Sequence, residues 1–264
     1  MAYDWRRTNA TPEGTSEFFA EIDRRFFNAS PFFQTDPPFA ELIPFQMLHG
    51  KRVLEIGCGL GSHTQLLAQA GCRLTAIDLT ERAVHLTKQR LVLADLIAEV
   101  IEMDAEHMEF ENETFDFVWS WGVIHHSEHT DQILREVARV LKTGGEFRFM
   151  VYHRRAVDSY FKIVRGLLSG KALRGMTFND MLSFYTDGYI ARFYTRSELS
   201  RLIENNGLAT ESLSVVGQTS ELVPLSGVFG RLKSALVSSI PAAIAKTALG
   251  AAGSFLFATA RKTK

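Results

Sequence analysis

The stretch Val53-Leu54-Glu55-Ile56-Gly57-Cys58-Gly59-Leu60-Gly61 constrains this chain more than any other. A short β-forming run enters alternating glycines, and Thr64 to Ala70 then reads as a helix closed by Gly71. Glycine is required where the backbone turns sharply and a ligand approaches without a Cβ in the way. A glycine cluster also suits a turn that binds nothing, so its meaning depends on the strands and helices downstream of it.

Those elements alternate. Arg73 to Ile77 reads as a strand ending at Asp78, and Thr80 can cap a helix running to about Leu93. Ala98 to Glu102 and Phe115 to Trp119 read as strands. Thr130 to Leu141 reads as a helix with apolar Ile133, Leu134, Val137, Ala138 and Leu141. Gly144-Gly145 predicts a turn into a strand over Glu146 to Val151. A helix from Arg196 to Asn205 is stopped by Gly207, and strands come after it at Ser212 to Val216 and Phe255 to Ala260. Such alternation implies a parallel sheet covered by helices on both faces. Residues 153–190 and 219–250 interrupt it as insertions. Residues 1–49 form an aromatic-rich helical leader or lid, with Phe18, Ile22 and Phe26 on one face of a helix over Thr15 to Phe27.

Asp78, at the end of the next strand, can accept hydrogen bonds from both ribose hydroxyls of a nucleoside. A nicotinamide domain shares this pattern, but Ser62 stands where a dinucleotide fingerprint has its third glycine. Glu55 supplies a negative charge suited to an ammonium or sulfonium ligand rather than to a pyrophosphate.

The formal net charge of -1 argues against a general polyanion binder, and no nucleic-acid partner is expected. Cys58 and Cys72 have neither redox nor metal-ligand spacing, so reduced thiols and no metal are expected. The N-terminus lacks the apolar core of a signal peptide, and Pro241 and Lys246 interrupt the most hydrophobic segment. A cytoplasmic protein is expected.

VLEIGCGLG resembles motif I of the class I S-adenosylmethionine-dependent methyltransferases. Ala76-Ile77-Asp78-Leu79 is similar to the family's ribose-binding strand end, and Met103-Asp104-Ala105-Glu106 to its adenine loop. Phe115-Asp116-Phe117-Val118-Trp119-Ser120 resembles its fourth strand. Arg139-Val140-Leu141-Lys142-Thr143-Gly144-Gly145 resembles its turn into the fifth, with Thr143 where proline is usual. The resemblance covers about residues 51–151 and is nearest the subgroup with ubiquinone, menaquinone and natural-product methyltransferases. The expected fold class is α/β: a Rossmann-like doubly wound seven-stranded sheet, mostly parallel with an antiparallel last strand, within a domain over 50–264.

The resemblance implies S-adenosyl-L-methionine as cofactor and S-adenosyl-L-homocysteine as product. It implies that Glu55, Gly57, Gly59 and Gly61 frame the methionine portion, with Cys58 contributing backbone. Asp78 and Leu79 meet the ribose, and Asp104 and Ala105 the adenine. Ser120 and Trp121 lie beside the methionine and face the substrate. His125 and His126 come after the fourth strand, where a general base is useful, although a polar network at a helix start explains them as well. His129 is a weaker candidate for the same role.

The acceptor is expected to be a small, apolar or aromatic molecule, walled by Tyr152, Tyr185 and Tyr189. Tyr3 and Trp5 are candidates to close over the cofactor. The apolar 219–250 segment suits peripheral contact with a membrane or lipid-like substrate, a lid or a dimer contact. A noncatalytic scaffold and a nicotinamide-dependent oxidoreductase are the competing readings. The methylated atom and the oligomeric state are open.

Overall fold

A computed structural model describes residues 10–170, 175–186, 191–223 and 230–263. The leader holds α1 (Ser16–Phe27) and α2 (Phe45–Leu48), followed by β1 (Arg52–Ile56), α3 (Ser62–Gln69), β2 (Arg73–Asp78) and α4 (Glu81–Leu93). β3 (Glu99–Glu102), β4 (Phe115–Trp121), α5 (Thr130–Val140) and β5 (Leu141–His153) come next. The remainder is α6 (Val157–Leu168), α7 (Phe178–Phe184), β6 (Phe193–Tyr194), α8 (Arg196–Asn205), β7 (Leu208–Val216), α9 (Gly230–Ser239), α10 (Ala242–Ala252) and β8 (Phe255–Lys262). Thr15 and Thr80 cap α1 and α4, their hydroxyls accepting from the N–H groups of Phe18 and Ala83.

The sheet runs β3-β2-β1-β4-β5-β8-β7, with β1 to β5 parallel and β8 antiparallel to both neighbours. Seven strands and the antiparallel last one agree with the sequence reading. The two-residue β6 adds an eighth, pairing with β5 at Tyr152 and His153. Two residues carry no periodicity for a sequence to display. The glycine turn is realised inside β5, not before it. Phe115 pairs with Leu141 and Phe117 with Glu146, so Lys142 to Gly145 form an excursion within the strand. β1 has β2 on one side and β4 on the other, and a ligand crevice opens at such a switch point.

Strand alternation sorts the core into two faces. Leu54, Ile56, Val118, Phe147 and Phe149 pack with Ile133, Leu134 and Val137 of α5 and Leu199 and Ile203 of α8. Val53, Phe117, Trp119, Trp121 and Met150 face the other way, onto Leu67 of α3, Leu249 of α10 and the leader. The leader residues Phe26, Phe33, Phe39, Ile43 and Leu48 are buried there and form a layer of the core. Phe33 and Phe39 stack at 4.4 Å and present themselves edge-on to Trp121. Phe39 adopts a left-handed φ of 66°, a strain of about 1–3 kcal/mol that its packing holds in place.

Among the described residues, no helix is long and apolar enough to cross a membrane. Tyr3, Trp5, Leu225, Val228 and Phe229 lie outside the described residues. Leu222 packs against the core, whereas Leu236 is exposed.

Candidate active site

β1 delivers Gly57 to the carboxyl edge at φ 80°, where an added Cβ would lie 2.1 Å from Val123 Cγ2. The N–H groups of Gly57 and Cys58 both donate to the Ile77 carbonyl, at 2.7 and 3.1 Å, which ties the loop to the end of β2. Gly59 N–H donates to Asp78 Oδ2 at 3.0 Å. The Thr80 N–H and hydroxyl donate to Asp78 Oδ1 at 3.0 and 2.9 Å. One carboxylate therefore organises both the glycine loop and the start of α4.

Gly57, Asp78, Leu79, Asp104 and Ala105 line one cavity of about 180 Å³, with Met103, Glu106, Val123 and His126 among the other residues of its wall. Asp104 Oδ1 accepts from Glu106 N–H at 2.8 Å, and the Ser127 hydroxyl donates to Glu106 at 2.6 Å, which shapes the rim. Asp104, Glu106 and His107 are the one group of metal-ligating side chains among the described residues, their ligand atoms lying within 4.8 Å of one another. Two of its members belong to this cavity, and exposed acidic clusters commonly hold nothing.

Behind the loop, Glu55 is 1% exposed and its Oε2 is buried without a hydrogen-bond partner. Burial pushes its carboxyl up to about 8; the Thr64 hydroxyl opposes this and the Asp78 charge adds to it. A buried carboxylate with an orphaned oxygen, behind a loop that tolerates no Cβ at Gly57, fits a cationic nucleoside.

Cys58 packs its thiol among Ala76, Val84 and Leu91, and burial pushes the thiol far up, out of nucleophilic range. Ser120 is engaged in a hydrogen bond from its hydroxyl to the Ile56 carbonyl at 3.1 Å. Trp121 is buried in the leader-side cluster and is not among the residues lining the cavity. Gly61, at φ 76°, occupies the N-cap of α3.

Residues 54–149 match the model of a methyltransferase domain. A ubiquinone biosynthesis O-methyltransferase of Azoarcus is 29% identical over 78% of this chain and 87% of its own length. A phthiotriol/phenolphthiotriol dimycocerosates methyltransferase of Mycobacterium leprae is 36% identical over 39% of this chain and 38% of its own. The crystal structure of the (4+2)-cyclase SpnF superimposes with a TM-score of 0.59 at 18% identity, covering 95% of this chain and 85% of that one. This chain carries a class I S-adenosylmethionine-dependent methyltransferase domain over residues 54–149. It is an enzyme of that class, and its cofactor is S-adenosylmethionine. Neither the oxidoreductase nor the scaffold reading is favoured.

The methyltransferase has a second cavity, of about 190 Å³, lined by Tyr152, Lys162, Tyr185, Phe193, Glu221 and Phe255 among others. It opens where β5 ends and β8 begins, under α6 and α7. Tyr189 lies outside the described residues. His125 is fully buried, with its ring 3.9 Å from that of Tyr152 and 4.3 Å from that of His126. Burial, then the neighbouring His126, holds the His125 imidazole well below its usual range, so it is neutral at pH 7. His126 faces the first cavity and packs edge-on to Tyr152, which faces the second. The His125, His126 and Tyr152 rings thus form the partition between the two cavities. His129 serves as the N-cap position of α5.

Arg90 escaped the sequence reading. It is 3% exposed, donates to the Leu60 carbonyl of the glycine loop at 3.2 Å and to Gln65 at 2.7 Å, and pairs with Asp23 of α1. The signal was present: Arg90 falls on the buried face of α4 with Ala83, Leu86, Thr87 and Leu91. A charge on an apolar stripe announces a buried partner without naming it.

Proposed function

We propose that this methyltransferase modifies a small apolar or planar molecule held beside Tyr152 and Tyr185, with the cofactor seated between the glycine loop and Asp104. The observation that carries the reading is that His126 lines the first cavity and Tyr152 the second, with their rings 5.5 Å apart and His125 packed against both. It agrees with relatives named for ubiquinone biosynthesis and for dimycocerosates. When bound, S-adenosylmethionine supplies a methyl group already activated as a sulfonium.

The chain's own residues then bind, orient and exclude water. Asp78 accepts from the ribose, Leu79 packs on it, and Asp104 with the Ala105 backbone meets the adenine. Glu55 and the backbone of Gly57, Cys58, Gly59 and Gly61 frame the cationic end. Ser120 holds the ends of β1 and β4 together, and Trp121 backs the site from the leader side. His126, on the wall of the cofactor cavity and edge-on to Tyr152, takes a proton from the acceptor where it reaches past Tyr152 toward the methyl group, and His125 positions His126 through ring contact. A reducing, cytoplasmic setting suits the free Cys58 and Cys72.

Calorimetric titration with S-adenosylmethionine, with NADH as control, tests the cofactor site; labelled-methyl transfer to a panel of phenols, quinols and hydroxylated lipids then tests the acceptor class. Binding of NADH alone by folded protein would overturn the reading.

Glu55 adds a sharper expectation. Its folded value of about 8 keeps it protonated at pH 7, and a cation brought beside it favours the ionised form. Cofactor binding at pH 7 therefore releases a proton, and calorimetry in buffers of different ionisation enthalpy will show this. Glu55→Gln abolishes the release. A buffer-independent binding enthalpy in the wild type would show that Glu55 does not face the cationic end.

The sign for stability is opposite. A folded value raised above the unfolded 4.5 means that the native apo protein binds more protons. The contribution of Glu55 is fully present below pH 4.5 and lost as pH rises to about 8. Glu55→Gln flattens that slope in urea titrations of the apo enzyme and stabilises it at pH 8.

A further inference from the structure

An amphipathic helix normally buries its apolar stripe. α6 does the reverse. Val157, Tyr160, Phe161, Val164, Leu167 and Leu168 recur at helical spacing, and all six are exposed, Leu168 at 84%. The inward side carries one large apolar residue, Ile163, half-buried against the core, beside buried Ser159 and Gly166 and Lys162, which pairs with Asp158 at 2.7 Å and lines the second cavity. Gly166 lets α6 sit close on α7, since a Cβ there would meet Met181 Sδ at 2.5 Å. α7 adds Phe178 and Phe184 to the exposed apolar surface.

The charge around this face is one-sided. From Arg154 to the end of α7 the sequence carries Arg154, Arg155, Lys162, Arg165, Lys171 and Arg174 against Asp158 and Asp180, in a chain whose net charge is -1; Lys171 and Arg174 lie outside the described residues. Arg154 is engaged with Glu198 and Lys162 with Asp158. Arg155 and Arg165 are exposed, the latter with its guanidinium 4.8 Å from the centre of the Tyr185 ring.

We propose that the α6–α7 face docks on an anionic phospholipid bilayer. The apolar stripe enters the headgroup boundary and the exposed Arg155 and Arg165 meet lipid phosphates. Charge complementarity selects this occupant. A two-fold contact between copies through the same face would set the two basic rims against each other. The face roofs the second cavity, to which α6 contributes Lys162 and the C-cap of α7 contributes Tyr185, so docking opens a route from the bilayer to the acceptor site. That last step rests on the proposed function; the docking does not.

Vesicle flotation tests it, with phosphatidylcholine vesicles containing about one third phosphatidylglycerol against pure phosphatidylcholine. We expect wild-type protein to partition about tenfold or more in favour of the anionic vesicles, with the preference weakened by salt. Phe161→Ser/Leu168→Ser, on exposed positions, should lose about tenfold or more of that binding while retaining wild-type affinity for S-adenosylmethionine. Wild-type protein that ignores anionic vesicles, or a double variant that binds them equally well, overturns the proposal. So does a wild-type dimer, seen by light scattering, that the same double variant dissociates, since the face would then belong to a second copy. Because cofactor affinity is read separately, failure of docking and failure of the methyltransferase site give different results.

Discussion

Asp78→Ala is expected to weaken S-adenosylmethionine binding by about 100-fold or more, the measure of charge-assisted hydrogen bonds at about 1.5–3 kcal/mol each. The geometry sets the expectation. An ionised carboxylate offers roughly four lone-pair sites. Three are committed, to Gly59 N–H and to the N–H and hydroxyl of Thr80. One ribose hydroxyl finds a site ready, and the second takes the place of the Thr80 hydroxyl. The alanine variant loses these acceptors and also releases the loop at Gly59. Asp78→Asn separates the two effects, since its amide oxygen still accepts while the charge is gone, and it should fall between the other two. Calorimetry on proteins of matched circular dichroism is the check. A folded Asp78→Ala that binds the cofactor like the wild type would remove Asp78 from the ribose site.

Arg90→Ala is expected to cost about 3–5 kcal/mol in urea unfolding, the range for removing one partner of a buried ion pair. Asp23, at 23% side-chain exposure, would keep its hydrogen bond from the Ser62 hydroxyl, at 2.7 Å, but lose the cation beside it. The Leu60 carbonyl would lose its guanidinium donor. The glycine loop and α1 are joined through this side chain, so the variant should also bind S-adenosylmethionine more weakly. Replacing both partners, Asp23→Ala/Arg90→Met, should recover part of the stability because no charge is left stranded. If Arg90→Ala unfolds within about 0.5 kcal/mol of the wild type, the clamp is ornamental.

The acceptor side responds to a different set of residues. Tyr152 belongs to the partition and Tyr185 to the roof, so substitutions there should alter acceptor selection while sparing cofactor affinity. The partition also explains why two neighbouring histidines differ. His126 borders a cavity, whereas His125 is enclosed, held neutral and packed between the rings of His126 and Tyr152.

By itself, the sequence determined the local and periodic features of this protein. Val53 to Gly61 reads as a strand entering a glycine turn from its β-forming run and alternating glycines alone; that Val123 would meet a Cβ at Gly57 came only from the structure. Asp78 was legible as the end of a strand, whereas Leu79, just past it, and Asp104 and Ala105, in the turn beyond β3, were marked only by the resemblance to the methyltransferase motifs. Only the tertiary structure decided what each long-range neighbour would be. It set Trp121 against Phe33 and Phe39, turned the apolar stripe of α6 outward, enclosed His125, and brought Arg90 to Asp23 and Leu60. The reason is physical. Periodicity states which side chains share a face, while burial, charge pairing and cavity walls arise from elements distant in the chain, and composition carries no record of which distant face will meet which.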